Sequence, residues 1–112
     1  MNIKQAQKAD IKALFQALAS LGNAHEVEKV FEDLCTPAEI SAMADRWRAV
    51  REIKAQKPYR QIYAETGVSV TTVTRIARCI THGAGGYNLM YDKIKSNKNK
   101  ENSNDKRCDT DE

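Results

Sequence analysis

At 112 residues, 41% of them hydrophobic, the chain has material for one domain with one modest core. No apolar run approaches the ~18 residues of a membrane span, and the opening "MNIKQAQKADIKALF" has neither a continuous apolar stretch nor a small-residue cleavage site, so no spanning helix and no signal peptide are expected. The net charge of +3 is unevenly placed: residues 1–45 carry four Lys against seven Asp/Glu, residues 46–80 eight Lys/Arg against two Glu, and residues 81–112 six of each sign.

The first predicted element lies in residues 8–21, where Ile11, Leu14, Phe15 and Leu18 recur at i, i+3, i+4, i+7 and form one helical stripe. Gly22 ends it and Asn23 is placed to cap the next helix. Residues 24–34 repeat the pattern with Val27, Val30, Phe31 and Leu34. "TPAE" at 36–39 is a helix start: Thr36 can accept from an amide three residues on, Glu39 can reach back, and Pro37 suits the first helical position. The helix that follows places Ile40, Met43, Ala44, Trp47, Val50 and Ile53 on one side, with Pro58 expected to stop it. A short helix over 59–66 carries Ile62 inward. Gly67 can turn the chain in the left-handed conformation, Val68 fills the corner, and Ser69 caps a second helix whose Val73, Ile76 and Ile80 share a face. "HGAGGY" at 82–87 is a break, and "YNLMYDKI" at 87–94 a last helix. From Lys95 onward apolar periodicity is lost. The expected organisation is therefore an all-α domain over 1–94 and a disordered polar tail over 95–112.

A short helix, a glycine turn and a second helix make up a helix-turn-helix. The second helix directs Thr71, Thr72, Arg75 and Arg78 away from its apolar face. Arginine can bind a guanine edge with two hydrogen bonds, and threonine offers a hydroxyl for bases or phosphates and a methyl for thymine. Threonine is a mediocre helix former, so three within residues 71–74 call for a reason beyond helicity. Ser69 at the helix start leaves backbone amides aimed where a phosphate could sit. Four residues before Gly67, where a small residue usually lets the helices cross, stands Tyr63; either the crossing is wider or Tyr63 points outward. The basic run Arg46, Arg48, Arg51, Lys54, Lys57, Arg60 is the footprint of a nucleic-acid binder or a solvated helix face. Its members are two or three residues apart and cannot all share one side; about half, Arg48 and Lys57 among them, are expected to reach DNA and the rest to be solvated or paired.

Little points to an enzyme. Cys35, Cys79 and Cys108 form no CxxC pair and no metal spacing with His25 or His82, and read as reduced thiols in a cytosolic protein. No serine or cysteine sits in a nucleophile motif. "HGAGGY" lacks the GxxxxGK[ST] pattern and a preceding strand. The competing reading to a DNA-binding regulator is a helical adaptor whose helix-turn-helix binds protein instead.

The stretches "LCTPAEISAMADRWRAV" (34–50) and "YRQIYAETGVSVTTVTR" (59–75), followed by "HGAGGY", resemble the Trp repressor superfamily, most closely its YerC/YecD branch of small bacterial regulators. The resemblance covers residues 8–94. It implies a cytoplasmic, nucleoid-associated repressor acting on double-stranded DNA. It also implies an intertwined homodimer whose N-terminal helices share a core and whose two reading heads stand about one DNA turn, roughly 34 Å, apart. The family's DNA-reading positions fall on Arg60, Val70, Thr71, Thr72 and Thr74. The pair of arginines that holds the tryptophan corepressor falls on Arg46 and Arg75, and the helix-starting threonine near that pocket on Thr36. For Arg46 and Arg75 the alternatives are phosphate contact or an ion pair with Asp45 or Glu39. Two positions depart from the tryptophan-binding members: a glycine there is Ile76 here, and a small aliphatic residue there is Trp47 here. Both add bulk where an indole would lie, and overfilling a packed site costs about 1–3 kcal/mol. A reader that needs no corepressor is therefore expected, with Trp47 filling the space; the alternative is a small effector, L-tryptophan or another, in a pocket formed by Thr36, Arg46, Trp47, Arg75 and Ile76.

Overall fold

The computed structural model describes residues 2–97. The expected tail beyond residue 97, including Cys108, lies outside the described residues. Within them the chain forms six helices and no strand: α1 (Ile3–Leu18), α2 (Ala24–Leu34), α3 (Pro37–Lys54), α4 (Tyr59–Thr66), α5 (Val70–His82) and α6 (86–97). The fold is all-α, as expected. None of these helices is long and apolar enough to cross a membrane.

The chain divides into a unit ending at Ser41 and a unit beginning at Ala42. In the first unit α1 starts five residues earlier than the apolar stripe suggested. Asn2 Oδ1 accepts from the Gln5 amide and the Gln5 side chain accepts from the Asn2 amide, a reciprocal cap that needs no apolar residue. Asn23 caps α2 as expected, its Oδ1 accepting from the Glu26 amide at 3.0 Å. The box at the start of α3 also forms: Thr36 Oγ1 accepts from the Glu39 amide, and the Glu39 carboxylate accepts from the Thr36 amide at 2.8 Å. That backbone hydrogen bond, followed by the one with the Thr36 hydroxyl, holds the Glu39 carboxyl below its usual value. Neither α1 nor α2 has a buried residue. Phe15 is 62% exposed and Leu34 53%.

The second unit contains the core. Ala49 and Val50 of α3, Ile62 of α4, and Val73 and Ile76 of α5 are buried together. Trp47, Ile53, Val68, Ile80 and Tyr87 pack around them. Ala49 escaped the sequence reading because a methyl adds little to an apolar stripe, yet its small size suits a tightly packed position. Helix α3 ends at Lys54, short of Pro58. Gln56 takes a left-handed φ of 63°, its amide donates to the Ile53 carbonyl, and the Lys57 amide donates to the Glu52 carbonyl. This pair of bonds is a Schellman ending, for which glycine is the usual residue. Pro58 instead stands at the start of α4, with extended backbone.

Helix α4 packs against α5 across Gly67, whose φ is 78°. Tyr63 resolves outward, 52% exposed. A Cβ at Gly67 would meet nothing within 4 Å, so Gly67→Ala isolates the conformational cost of the turn. It should destabilise the protein by about 1 kcal/mol, read as a lower thermal midpoint, and Gly67→Val by more.

Helix α6 is tied to the core by Asn88. Its Oδ1 accepts from Lys54 Nζ, and its Nδ2 donates to the Ile80 carbonyl at 2.8 Å. The Lys54 ammonium also lies 5.3 Å from the centre of the Tyr91 ring, a cation–π contact. The helix runs to residue 97, taking in Lys95, Ser96 and Asn97 from the stretch read as tail.

Candidate nucleic-acid interface

Helix α5 is anchored by its inner side. With Val73 and Ile76 buried, the side chains a quarter-turn or more away have to face outward. Thr71, Thr74, Arg75 and Arg78 line one shallow concavity of about 290 Å³ on that outer side. Val70 is exposed beside them, and Thr72 is half-buried. The start of the helix is built by Ser69, whose Oγ accepts from the Thr72 amide at 3.2 Å and donates to Thr72 Oγ1 at 2.9 Å. The amides of Val70 and Thr71 belong to the first turn, where a helix supplies no carbonyl partner.

The threonine hydroxyls are not equivalent. Thr74 Oγ1 donates to the Val70 carbonyl at 2.9 Å, so toward a ligand it offers only lone pairs and a methyl. Thr72 Oγ1 accepts from Ser69 and retains its own proton. Thr71 Oγ1 has no hydrogen-bond partner among the described residues and can donate or accept.

The basic run divides in two. Arg46, Arg48, Arg51 and Arg60 are exposed. Lys54 is engaged with Asn88 and Tyr91, and Lys57 with carboxylates: its Nζ lies 2.5 Å from Glu52 Oε2 and 3.1 Å from Glu65 Oε2. The close ion-pair contact with Glu52, then the hydrogen bond to Glu65, raises the Lys57 ammonium above its ordinary value. The Glu65 carboxyl is lowered, first by its hydrogen bond from Gln61, then by Lys57, with a Coulombic contribution from Arg48.

A second concavity, of about 220 Å³, lies on the inner flank of α5 and is lined by Arg46, Thr72, Arg75, Ile76, Cys79 and Tyr87. It brings together Arg46, Arg75 and Ile76 of the expected effector pocket. Thr36 belongs to the first unit, where its hydroxyl caps α3. Trp47 does not line the space either; it packs against the core. The aromatic wall comes from Tyr87, in the first turn of α6. Arg46 and Arg75 form no ion pair with Asp45 or Glu39 among the described residues. Arg75 lines both concavities.

Residues 9–96 match the Trp repressor protein family. The chain belongs to the Trp repressor family. It is 31% identical to the YerC protein of Bacillus subtilis over 103 residues, 92% of this chain and 99% of that one. Among solved structures it is similar to a TrpR-like protein from Eubacterium eligens, with a TM-score of 0.71, 30% identity, and coverage of 77% of this chain and 89% of that chain. It is likewise similar to a candidate Trp repressor from Staphylococcus aureus, with a TM-score of 0.73, 32% identity, and coverage of 85% and 95%.

Three contributors in this Trp repressor-family chain escaped the sequence reading. Tyr87 and Asn88 were assigned only to a last helix, and Cys79 only to a reduced thiol. Tyr87 and Asn88 act across a break in the chain, and the glycines at 83, 85 and 86 give no signal of how far the following helix folds back.

Proposed function

We propose that the chain is a sequence-specific DNA-binding transcriptional regulator, most simply a repressor that acts by occupying a promoter, and that it works as a homodimer. The observation that carries this reading is the outer side of α5, where Thr71, Thr74, Arg75 and Arg78 surround one concavity while the same helix is locked to α4 through Val73 and Ile76. A rigid helix offering hydroxyls, methyls and guanidinium groups on one side has what major-groove reading requires. Family membership supports the same reading. The exposed apolar residues of α1 and α2, Ile11, Leu14, Phe15, Val27 and Leu34, support the homodimer, since a second copy is one surface that could cover them.

Binding is proposed to be independent of tryptophan. The side chains of Ile76 and Tyr87 line the inner concavity and reduce the room for an indole, while Arg46 and Arg75 keep it suited to a small anion. The test is selection of bound fragments from sheared genomic DNA by the purified protein, with and without L-tryptophan. A short palindrome recovered in both conditions is the expected result. Recovery only with tryptophan would overturn the independence, and no enrichment in either condition would overturn DNA reading itself.

Arg60, exposed near the start of α4, is proposed as a base contact. Arg60→Ala should weaken binding to the recovered palindrome by about 1–3 kcal/mol more than binding to a shuffled duplex. Equal loss on both duplexes would assign Arg60 to phosphate alone.

A further inference from the structure

Lys57 stands at the corner between α3 and α4. The carboxylate oxygen of Glu52 that it meets is shielded from solvent. Its amide also donates to the Glu52 carbonyl at 3.2 Å, so backbone and side chain grip the same residue. On the other side its ammonium reaches Glu65 in the last turn of α4, and Glu65 is steadied within that helix by Gln61 Nε2 at 3.0 Å. The residue before it, Gln56, has the left-handed backbone that side chains with a Cβ resist. Such a conformation persists only where neighbouring contacts fix it.

We propose that Lys57 is a positioning residue: through Glu52 and Glu65 it fixes the angle at which α4, and α5 packed on α4, leave the end of α3, and it does not act by touching phosphate. This rests on the DNA reading above. A lysine whose ammonium is shared between two carboxylates carries little net positive charge toward DNA. Its contribution is orientation, which a palindrome recognised by two heads requires and non-specific binding does not.

The test compares Lys57→Met and Glu65→Gln with the wild-type chain, on the palindromic duplex recovered by selection and on a shuffled duplex, over a salt series. Long-range electrostatics predicts opposite outcomes: removing a cation weakens DNA binding and removing an anion strengthens it. A positioning role predicts the same direction for both. Each substitution should weaken binding to the palindrome about tenfold, leave the shuffled duplex nearly unaffected, and leave the salt slope unchanged. Opposite signs on both duplexes, or a salt slope about 0.9 shallower for Lys57→Met, would overturn the proposal and make Lys57 a phosphate contact. Glu65→Gln removes no cation from beside the shielded Glu52 oxygen, so its sign decides the matter even if Lys57→Met does not fold. A wild-type chain that prefers no duplex would overturn the DNA reading, and the positioning role with it.

Discussion

A chain carrying Leu14→Asp and Phe15→Asp should lose both the proposed homodimer and much of its helix content. Neither α1 nor α2 buries a residue, yet each has a well-formed apolar stripe, with Ile11 47% and Phe15 62% exposed. Fully burying one large apolar side chain is worth about 1.5–3 kcal/mol. Helices of 16 and 11 residues are marginal when isolated in water, so the stripes need a covering surface to persist. The proposed homodimer supplies it, and two carboxylates within that surface would be buried without partners. Sedimentation equilibrium should give twice the chain mass for the wild type and the single-chain mass for the variant, with weaker helical circular dichroism. A variant with wild-type mass and helicity would show that this stripe is not the interface.

The second large effect should come from Thr71→Ala combined with Arg75→Ala. Both side chains line the outer concavity of α5 and are exposed, so their removal leaves Val73, Ile76 and the α4 contact intact. Each good base contact is worth about 1–3 kcal/mol of discrimination. The double variant should therefore bind the selected palindrome about a hundredfold more weakly, with an unchanged thermal midpoint. Retained affinity would move the reading surface elsewhere and favour a protein partner for this face. The hydroxyl chemistry refines the expectation. Thr71 can donate or accept, so Thr71→Ala alone should cost more affinity than Thr74→Ala, since the Thr74 proton is held by the Val70 carbonyl.

What the sequence disclosed was what is local. The cap formed by Thr36 and Glu39, the left-handed Gly67, the cap at Ser69, and the inward set Ile62, Val73 and Ile76 all follow from spacings of a few residues, and each is present as read. The misses share a cause in distance or in an unusual substitute. Helix α1 begins at Ile3 because Asn2 and Gln5 cap it, where no apolar period marks a start. Helix α3 ends through Gln56 in a conformation normally left to glycine, so the conspicuous Pro58 drew the boundary too far along. Lys54 and Lys57 looked like members of a basic stripe because their partners, Asn88 and Glu65, lie 34 and 8 residues away. Trp47 was expected to fill the inner concavity, but it packs against the core instead, and Tyr87 supplies the aromatic wall.

The double placement of Arg75 has a thermodynamic consequence. One guanidinium borders both the inner concavity and the proposed reading side, so an anion bound in the first and a phosphate or guanine bound at the second would draw on a single charge. Whatever factor the small anion applied to operator affinity, the operator would apply to the anion's affinity in return. A titration of either ligand in the presence of the other therefore measures the same coupling. Its sign would tell whether Arg75 is competed for, or is swung by the first ligand into place for the second.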